Sequence, residues 1–370
     1  MKRLGITMLV SFAMLAAIGG VGYYLTHSVD SVRVWYKRWK AADVYMYEEV
    51  HHRYLKTDPS TLISIRDGQS RSAKHRALIH AIWGEKGVFP LKRSAEISEV
   101  AAPPGLANLD GLAKTERLRI PIDYGYASYV YILGPVTPNG RLFLYHHGYA
   151  GEFAQAAEFI QRALKAGDTV AAFNYPGYGE NQFPAHYFKK FGWQAPTWDR
   201  ILTFADNPIR FYVEPVVVTL NYAVKSKLYA HFDIAGFSAG GWIAGLAAAV
   251  DRRLRHVFTI SGGYPLYLRA GAEVNQSAPP QYYGPLLRSV NYLDQYVLAA
   301  SGPGRRLIQI FNRFDRCCFR NTLGKLYEPA VRAAVDRVDS GGAFLVLIDE
   351  SHADHKVSSW ALDRIFAYRN

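Results

Sequence analysis

The run Gly236-Phe237-Ser238-Ala239-Gly240 places a serine between glycines at the spacing G-x-S-x-G. A serine hydroxyl becomes a useful nucleophile where it projects from a sharp strand-to-helix turn and small neighbours allow close approach. The strand-like Phe232–Ala235 precedes the motif, the helix-like Trp242–Val250 follows it, and Gly241 adds a third small residue. In that context Ser238 reads as a nucleophile. The Ala239 amide, at the helix start, reads as a donor to the negative charge that acyl transfer creates. The plain alternative is a glycine-rich helix start with Ser238 as its N-cap. An oxyanion needs a second donor, and the turn His147-Gly148-Tyr149-Ala150-Gly151 after an apolar run offers the Tyr149 amide. His146 and His147 read as structural, because their place in the chain order is the wrong loop for a base, and a metal site is disfavoured because adjacent residues on a strand point to opposite faces.

These residues need a scaffold that ends strands next to one another. Apolar runs predict strands at Arg117–Ile122, Ser128–Leu133, Arg141–His146, Thr169–Phe173, Phe232–Ala235, His256–Ser261, Leu307–Phe311 and Phe344–Ile348. Helix-like segments lie near 153–166, 208–227, 239–250, 290–300 and 356–368. From 141 onward strand and helix alternate, which predicts a mostly parallel sheet of eight strands covered on both faces. The first two runs have no helix between them and predict an antiparallel hairpin. The stretches 182–230 and 263–305 exceed simple crossovers and are expected to contribute lid insertions.

Three motifs now stand in order, each after its own strand: the His147-Gly148 turn, Asn174-Tyr175-Pro176-Gly177-Tyr178-Gly179-Glu180-Asn181, and Gly236–Gly240. In this the chain resembles the α/β-hydrolase superfamily from about residue 115 to its end. The second motif is similar to that superfamily's D-x-P-G-x-G-x-S turn, with Asn174 and Asn181 in place of the acidic and serine ends. The resemblance implies the order nucleophile, acid, base. It therefore assigns the acid to Asp315, just after Leu307–Phe311, with Asp294 as a fallback inside a predicted helix. It assigns the base to the segment Asp349–His355 after the last strand. Two histidines compete there: His355, beside the predicted final helix, is preferred, with His352 as the alternative base. A zinc site built from these histidines and Asp349 or Asp354 would leave the Ser238 turn unexplained.

What the resemblance implies chemically is a two-step acyl transfer without a cofactor. His355, oriented by Asp315, would take the Ser238 proton, and the Tyr149 and Ala239 amides would hold the oxyanion. The expected substrate is a small-molecule or lipid-like ester or thioester. A serine peptidase or amidase of the same fold, or a catalytically silent binding protein, are the alternatives.

The chain has 370 residues, 49% hydrophobic and 20% charged, with a net charge of +12. It is a folded protein, and its scattered positive charge suits a phospholipid surface better than nucleic acid, for which no motif is present. Cys317 and Cys318 are adjacent. Neighbouring cysteines seldom bridge, so no disulfide framework is expected and two cysteines alone make a poor metal site.

Lys2 and Arg3 precede an uncharged run from Leu4 to Leu25. That run predicts an N-terminal transmembrane helix over 1–26, a single-pass anchor in preference to a cleaved signal, which would make the protein secreted or periplasmic. Val32, Trp35, Trp39 and Ala42 then recur at helical spacing. They suit a helix lying along headgroups, or an ordinary helix packed on the domain. Residues 27–115 read as a helical and irregular extension, and 116–370 as the catalytic domain.

Overall fold

The computed structural model describes residues 2–41, 50–84, 89–269, 278–338 and 341–369. The strands are β1 (Glu96–Glu99), β2 (Leu112–Pro121), β3 (Ala127–Pro135), β4 (Arg141–His146), β5 (Thr169–Phe173), β6 (His186–Phe188), β7 (Gly192–Gln194), β8 (His231–Phe237), β9 (His256–Ile260), β10 (Arg306–Asn312) and β11 (Ala343–Asp349). The main helices are α1 (Lys2–Ser28), α2 (Asp30–Ala41), α3 (Gly68–Trp83), α4 (Ala157–Lys165), α5 (Arg210–Ser226), α6 (Ala239–Val250), α7 (Tyr292–Ala300), α8 (Gly324–Val338) and α9 (Ser359–Tyr368).

One nine-stranded sheet runs in the order β1-β2-β3-β5-β4-β8-β9-β10-β11. β1 to β3 and the β3–β5 contact are antiparallel. From β5 to β11 every neighbour is parallel. Side chains alternate across β4: Leu142 and Leu144 enter the core beneath α5, α6, α7 and α8, whereas Phe143 and Tyr145 enter the core beneath α4 and α9. Burial on both faces explains why the central strands read as near-continuous apolar runs. All the parallel strands end on one edge, so the loops after β4, β8, β10 and β11 converge there.

The eight expected strands are present, and β1 makes a ninth. Its Glu96-Ile97-Ser98-Glu99 is exposed throughout, so no apolar pattern marks it. It also draws residues of the expected extension into the sheet, and β2 begins at Leu112 rather than near 116. Trp83 and Arg93 both reach the buried Glu214 on α5, and Ser64 and Ile65 donate amides to the buried Asp294 at 2.8 and 3.2 Å. The extension is therefore part of the domain's packing. Much of the two stretches expected to contribute lids is buried helix. α5 is largely buried and every residue of α7 is buried, so both are sheet-covering helices. Within 182–230 the small β6–β7 hairpin lies outside that layer; within 263–305, residues 270–277 lie outside the described residues.

Cys317 and Cys318 are joined in a disulfide, against expectation. The Asp315 carboxylate explains the turn that brings them together: its Oδ1 accepts the Cys317 and Cys318 amides at 2.7 and 3.1 Å.

At the N-terminus, α1 leaves Phe12, Met14, Leu15, Ile18, Val21, Tyr23 and Tyr24 exposed. Among the described residues no single helix is long and apolar enough to cross a membrane. Ser11–Ser28 and Asp30–Trp39 satisfy length and apolarity only as a pair, bent by 98°. Ala42 lies outside the described residues.

Candidate active site

β8 delivers Ser238 into a conformation that few side chains adopt, φ 56° and ψ −128°. Such strain persists only where the surroundings enforce it. Here the Ser238 amide donates to the Ile260 carbonyl of β9 at 2.7 Å, and its own carbonyl accepts from Gly241 at 2.9 Å as α6 begins. The glycines answer to contact. A Cβ on Gly236 would run into the Gly240 carbonyl, and one on Gly240 into the His146 carbonyl. The turn is thus locked between β8, β9 and the end of β4.

The loop after β4 crosses this turn. A Cβ on Gly148 would lie 2.9 Å from the Ser238 Cβ, 3.0 Å from the Phe237 oxygen and 3.3 Å from the Ala239 nitrogen. Gly148 therefore brings the backbone leading to Tyr149 against the start of α6, the arrangement expected of two oxyanion donors. The Tyr149 ring stacks on Trp198 at 5.1 Å. Asn174 and Asn181 shape the neighbouring turn: Asn174 Oδ1 accepts the Phe153 amide at 2.8 Å and Asn181 Oδ1 the Tyr129 amide at 2.7 Å.

Asp315 and His355 meet. His355 Nδ1 lies 2.7 Å from Asp315 Oδ2, and Asp315 is 1% exposed. The other imidazole nitrogen, Nε2, is buried without a hydrogen-bond partner. The His355 ring packs on Phe237, the residue before Ser238, at 4.6 Å. The final helix begins at Ser359 with Ser358 as its cap, slightly later than expected, so His355 sits in the preceding loop. A carboxylate-held imidazole with one unpartnered nitrogen, packed on the residue before a strained serine, has the parts of a proton-transfer relay.

His352 is occupied elsewhere. It is buried, Nδ1 is 2.9 Å from Asn312 Nδ2, and Nε2 is 3.2 Å from Asp349 Oδ2. Burial pushes the Asp349 carboxyl up, but hydrogen bonds from His352, Ser358 and Ser351 outweigh it and hold it below the ordinary range. Asp294 is committed to Ser64, Ile65 and Lys74, away from the histidines. His146 stacks on Phe173, and burial pulls its imidazole down to about 4. Burial does the same to His147, opposed by a hydrogen bond with Gln155 and reinforced by the charge of His355. The His147 and His355 rings both pack on Phe237, at 5.9 and 4.6 Å, so His355 has a second imidazole nearby that its position in the sequence does not reveal.

The sequence also hid a brace from α2. Val34 packs with Phe314 and Ala353, which neighbour Asp315 and Asp354. Lys37 Nζ donates to the Phe314 carbonyl at 2.8 Å. Arg33 Nη1 reaches Asp354 Oδ1 at 2.6 Å, Arg38 reaches Glu350 at 2.5 Å, and Lys356 reaches Asp30 at 3.0 Å. Burial and the Arg320 charge lower the Lys37 ammonium to about 8, against the attraction of Asp315. Trp35 and Trp39 stay exposed and stack at 6.3 Å. Of the two arrangements expected for this segment, packing on the domain is present, while its tryptophans remain open to solvent.

A family model described as alpha/beta hydrolase fold matches residues 141–300. No curated protein matches the chain. Among solved structures, Methylesterase BT1017 is similar with a TM-score of 0.59 at 13% identity, over 88% of this chain and 69% of that one. A glucuronoyl esterase from Solibacter usitatus gives 0.57 at 13%, over 84% and 96%. Acetyl xylan esterase 1 from Thermoanaerobacterium sp. JW/SL YS485 gives 0.54 at 14%, over 86% and 98%. At such identities the likeness is one of fold.

Proposed function

We propose that this chain is a serine esterase of the α/β-hydrolase superfamily, whose family model matches residues 141–300. One observation carries the reading: the His355–Asp315 pair, closed at 2.7 Å, stands against the residue before a serine held at φ 56°. Ser238 attacks the carbonyl carbon of the ester as His355 Nε2 takes its proton, and Asp315 holds the imidazolium that forms. The Tyr149 and Ala239 amides receive the oxyanion. His355 then returns the proton to the leaving alcohol, and water repeats the sequence on the acyl-enzyme.

The esterase names of the structural neighbours support an ester as the bond cleaved, and they put acetylated xylan, glucuronoyl esters and methyl esters beside lipid esters as substrates to assay. The exposed apolar side chains of α1 and the exposed Trp35 and Trp39 support an N-terminal membrane anchor with α2 at its headgroup level.

The test is labelling of the full chain by a fluorophosphonate probe, wild type against Ser238→Ala. Labelling that vanishes in the variant, with turnover of p-nitrophenyl acetate lost alongside, is the expected result. A folded wild type that neither labels nor turns over esters would overturn it.

A further inference from the structure

We propose that Cys317, Cys318 and His355 form a metal-capture site that takes a thiophilic divalent ion of the zinc class once the disulfide is reduced. For its effect on catalysis the proposal rests on His355 being the base. One donor atom from each of the three side chains, either nitrogen serving for the imidazole, lies within 4.8 Å of the other two. Cys317 is exposed, and Cys318 and His355 are half-buried. Two thiolates and an imidazole are the donors zinc prefers, and three protein ligands leave its fourth position to water.

The geometry around His355 completes the site. With Nδ1 held by Asp315 at 2.7 Å, Nε2 is the nitrogen left to bind, and it has no hydrogen-bond partner. A carboxylate behind a metal-bound imidazole fixes its orientation and raises its basicity. Asp315 is in turn held by the backbone amides of Cys317 and Cys318, donors that do not depend on the oxidation state of the sulfurs. The same carboxylate thus serves both states.

The bridged pair offers no thiolate and the site is closed. A dithiol reductant opens it: two electrons pass to the Cys317–Cys318 bond, which breaks; the reductant's sulfurs join; and two protons end on the cysteine sulfurs. The ion, unchanged in oxidation state, then displaces both protons to solvent as it binds. Its bond to Nε2 occupies the lone pair that would accept the Ser238 proton. Metal capture and hydrolysis are mutually exclusive.

The experiment uses the full chain, reduced with dithiothreitol, freed of it without air, and titrated with Co2+ and Zn2+. We expect one Co2+ per chain with thiolate-to-cobalt charge-transfer absorption in the reduced wild type and none in the oxidised protein. That absorption should vanish in Cys317→Ser/Cys318→Ser, which keeps the backbone amides, and the affinity should drop at least tenfold in His355→Ala. In the reduced wild type, Zn2+ should lower hydrolysis of p-nitrophenyl acetate at least tenfold, with recovery on adding EDTA. Reduced protein without the thiolate absorption, or absorption that survives the double serine variant, overturns the site; metal bound without loss of hydrolysis overturns the role of His355 in it. The cobalt spectrum is read whether or not the chain cleaves esters, so failure of the esterase reading is a separate result.

Discussion

Arg33 and Asp354 stand 321 positions apart in the chain and 2.6 Å apart in space, and Asp354 immediately precedes His355. α2 therefore grips the loop carrying His355, the proposed base. Burial pushes the Asp354 carboxyl up, yet Arg33, Arg316 and Lys356 more than offset this and hold it below the ordinary range. A lowered carboxylate stabilises the fold above its unfolded value of about 4 and loses that contribution as pH falls through the folded value. The grip is intact at neutral pH and released in acid. Arg33→Ala is expected to cost about 1 kcal/mol of stability. Its larger effect should be on kcat, lowered about tenfold through displacement of the base. Arg33→Lys should recover part of that loss. Steady-state kinetics beside thermal melts check this, and an unchanged kcat in a destabilised Arg33→Ala would reduce the contact to packing.

The two histidines of the last loop separate by their partners. His355→Ala removes the imidazole on Asp315 and should lower kcat by a factor on the order of 10⁴. His352→Ala leaves Asn312 and Asp349 short of a buried partner and should cost about 2 kcal/mol of stability while fluorophosphonate labelling persists. Urea melts and probe labelling of both variants decide the matter, and the opposite pattern would move the base to His352.

Gly148→Ala tests the donor loop without touching a titratable group. The new methyl would meet the Ser238 Cβ at 2.9 Å and the Phe237 oxygen at 3.0 Å, both on the locked turn, so the loop bearing Tyr149 must retreat. Loss of one oxyanion donor lowers kcat about 10²–10³-fold. We expect such a drop with KM little changed. A Gly148→Ala enzyme with full kcat would remove the Tyr149 amide from the site.

These residues were unequally visible in the sequence. The Ser238 turn was, because two glycines pressed against carbonyls leave a local signature. Asp315 and His355 followed from their places after β10 and β11, since their contact spans 40 positions and has no pattern of its own. The α2 brace had none at all: its ion pairs join residues 30–38 to the last loop. α8, which carries Pro329, falls outside the expected helical segments. The disulfide has no sequence signature either, because the local backbone that accommodates it is held by the Cys317 and Cys318 amides on Asp315.

Acid should unfold the protein in a defined window. Burial holds the His146 and His147 imidazoles at about 4 in the fold, against about 6.5 when exposed. Between those values the unfolded chain binds more protons, so stability is complete above about 6.5 and falls as pH drops toward 4. Each histidine contributes up to roughly 3 kcal/mol to that fall. Denaturant melts from pH 7 to 4 should show the slope, and His146→Gln should flatten it. An unaltered slope would mean that His146 titrates normally.

Truncation separates the anchor from the brace. Of the described residues of α1, the large apolar side chains lie exposed, whereas α2 is tied to the loops of Asp315 and His355. Deleting residues 1–28 should release the protein from a membrane pellet and leave p-nitrophenyl acetate hydrolysis within about twofold, since exposed surface contributes little to stability. Deleting residues 1–41 should also release it, but with hydrolysis down about tenfold or more, because the loops lose Val34, Lys37 and Arg33 together. Fractionation and kinetics on the two truncations read both steps. Equal activity in the two would show that the catalytic loops hold their geometry without α2, and a full-length protein found in the soluble fraction would remove the anchor.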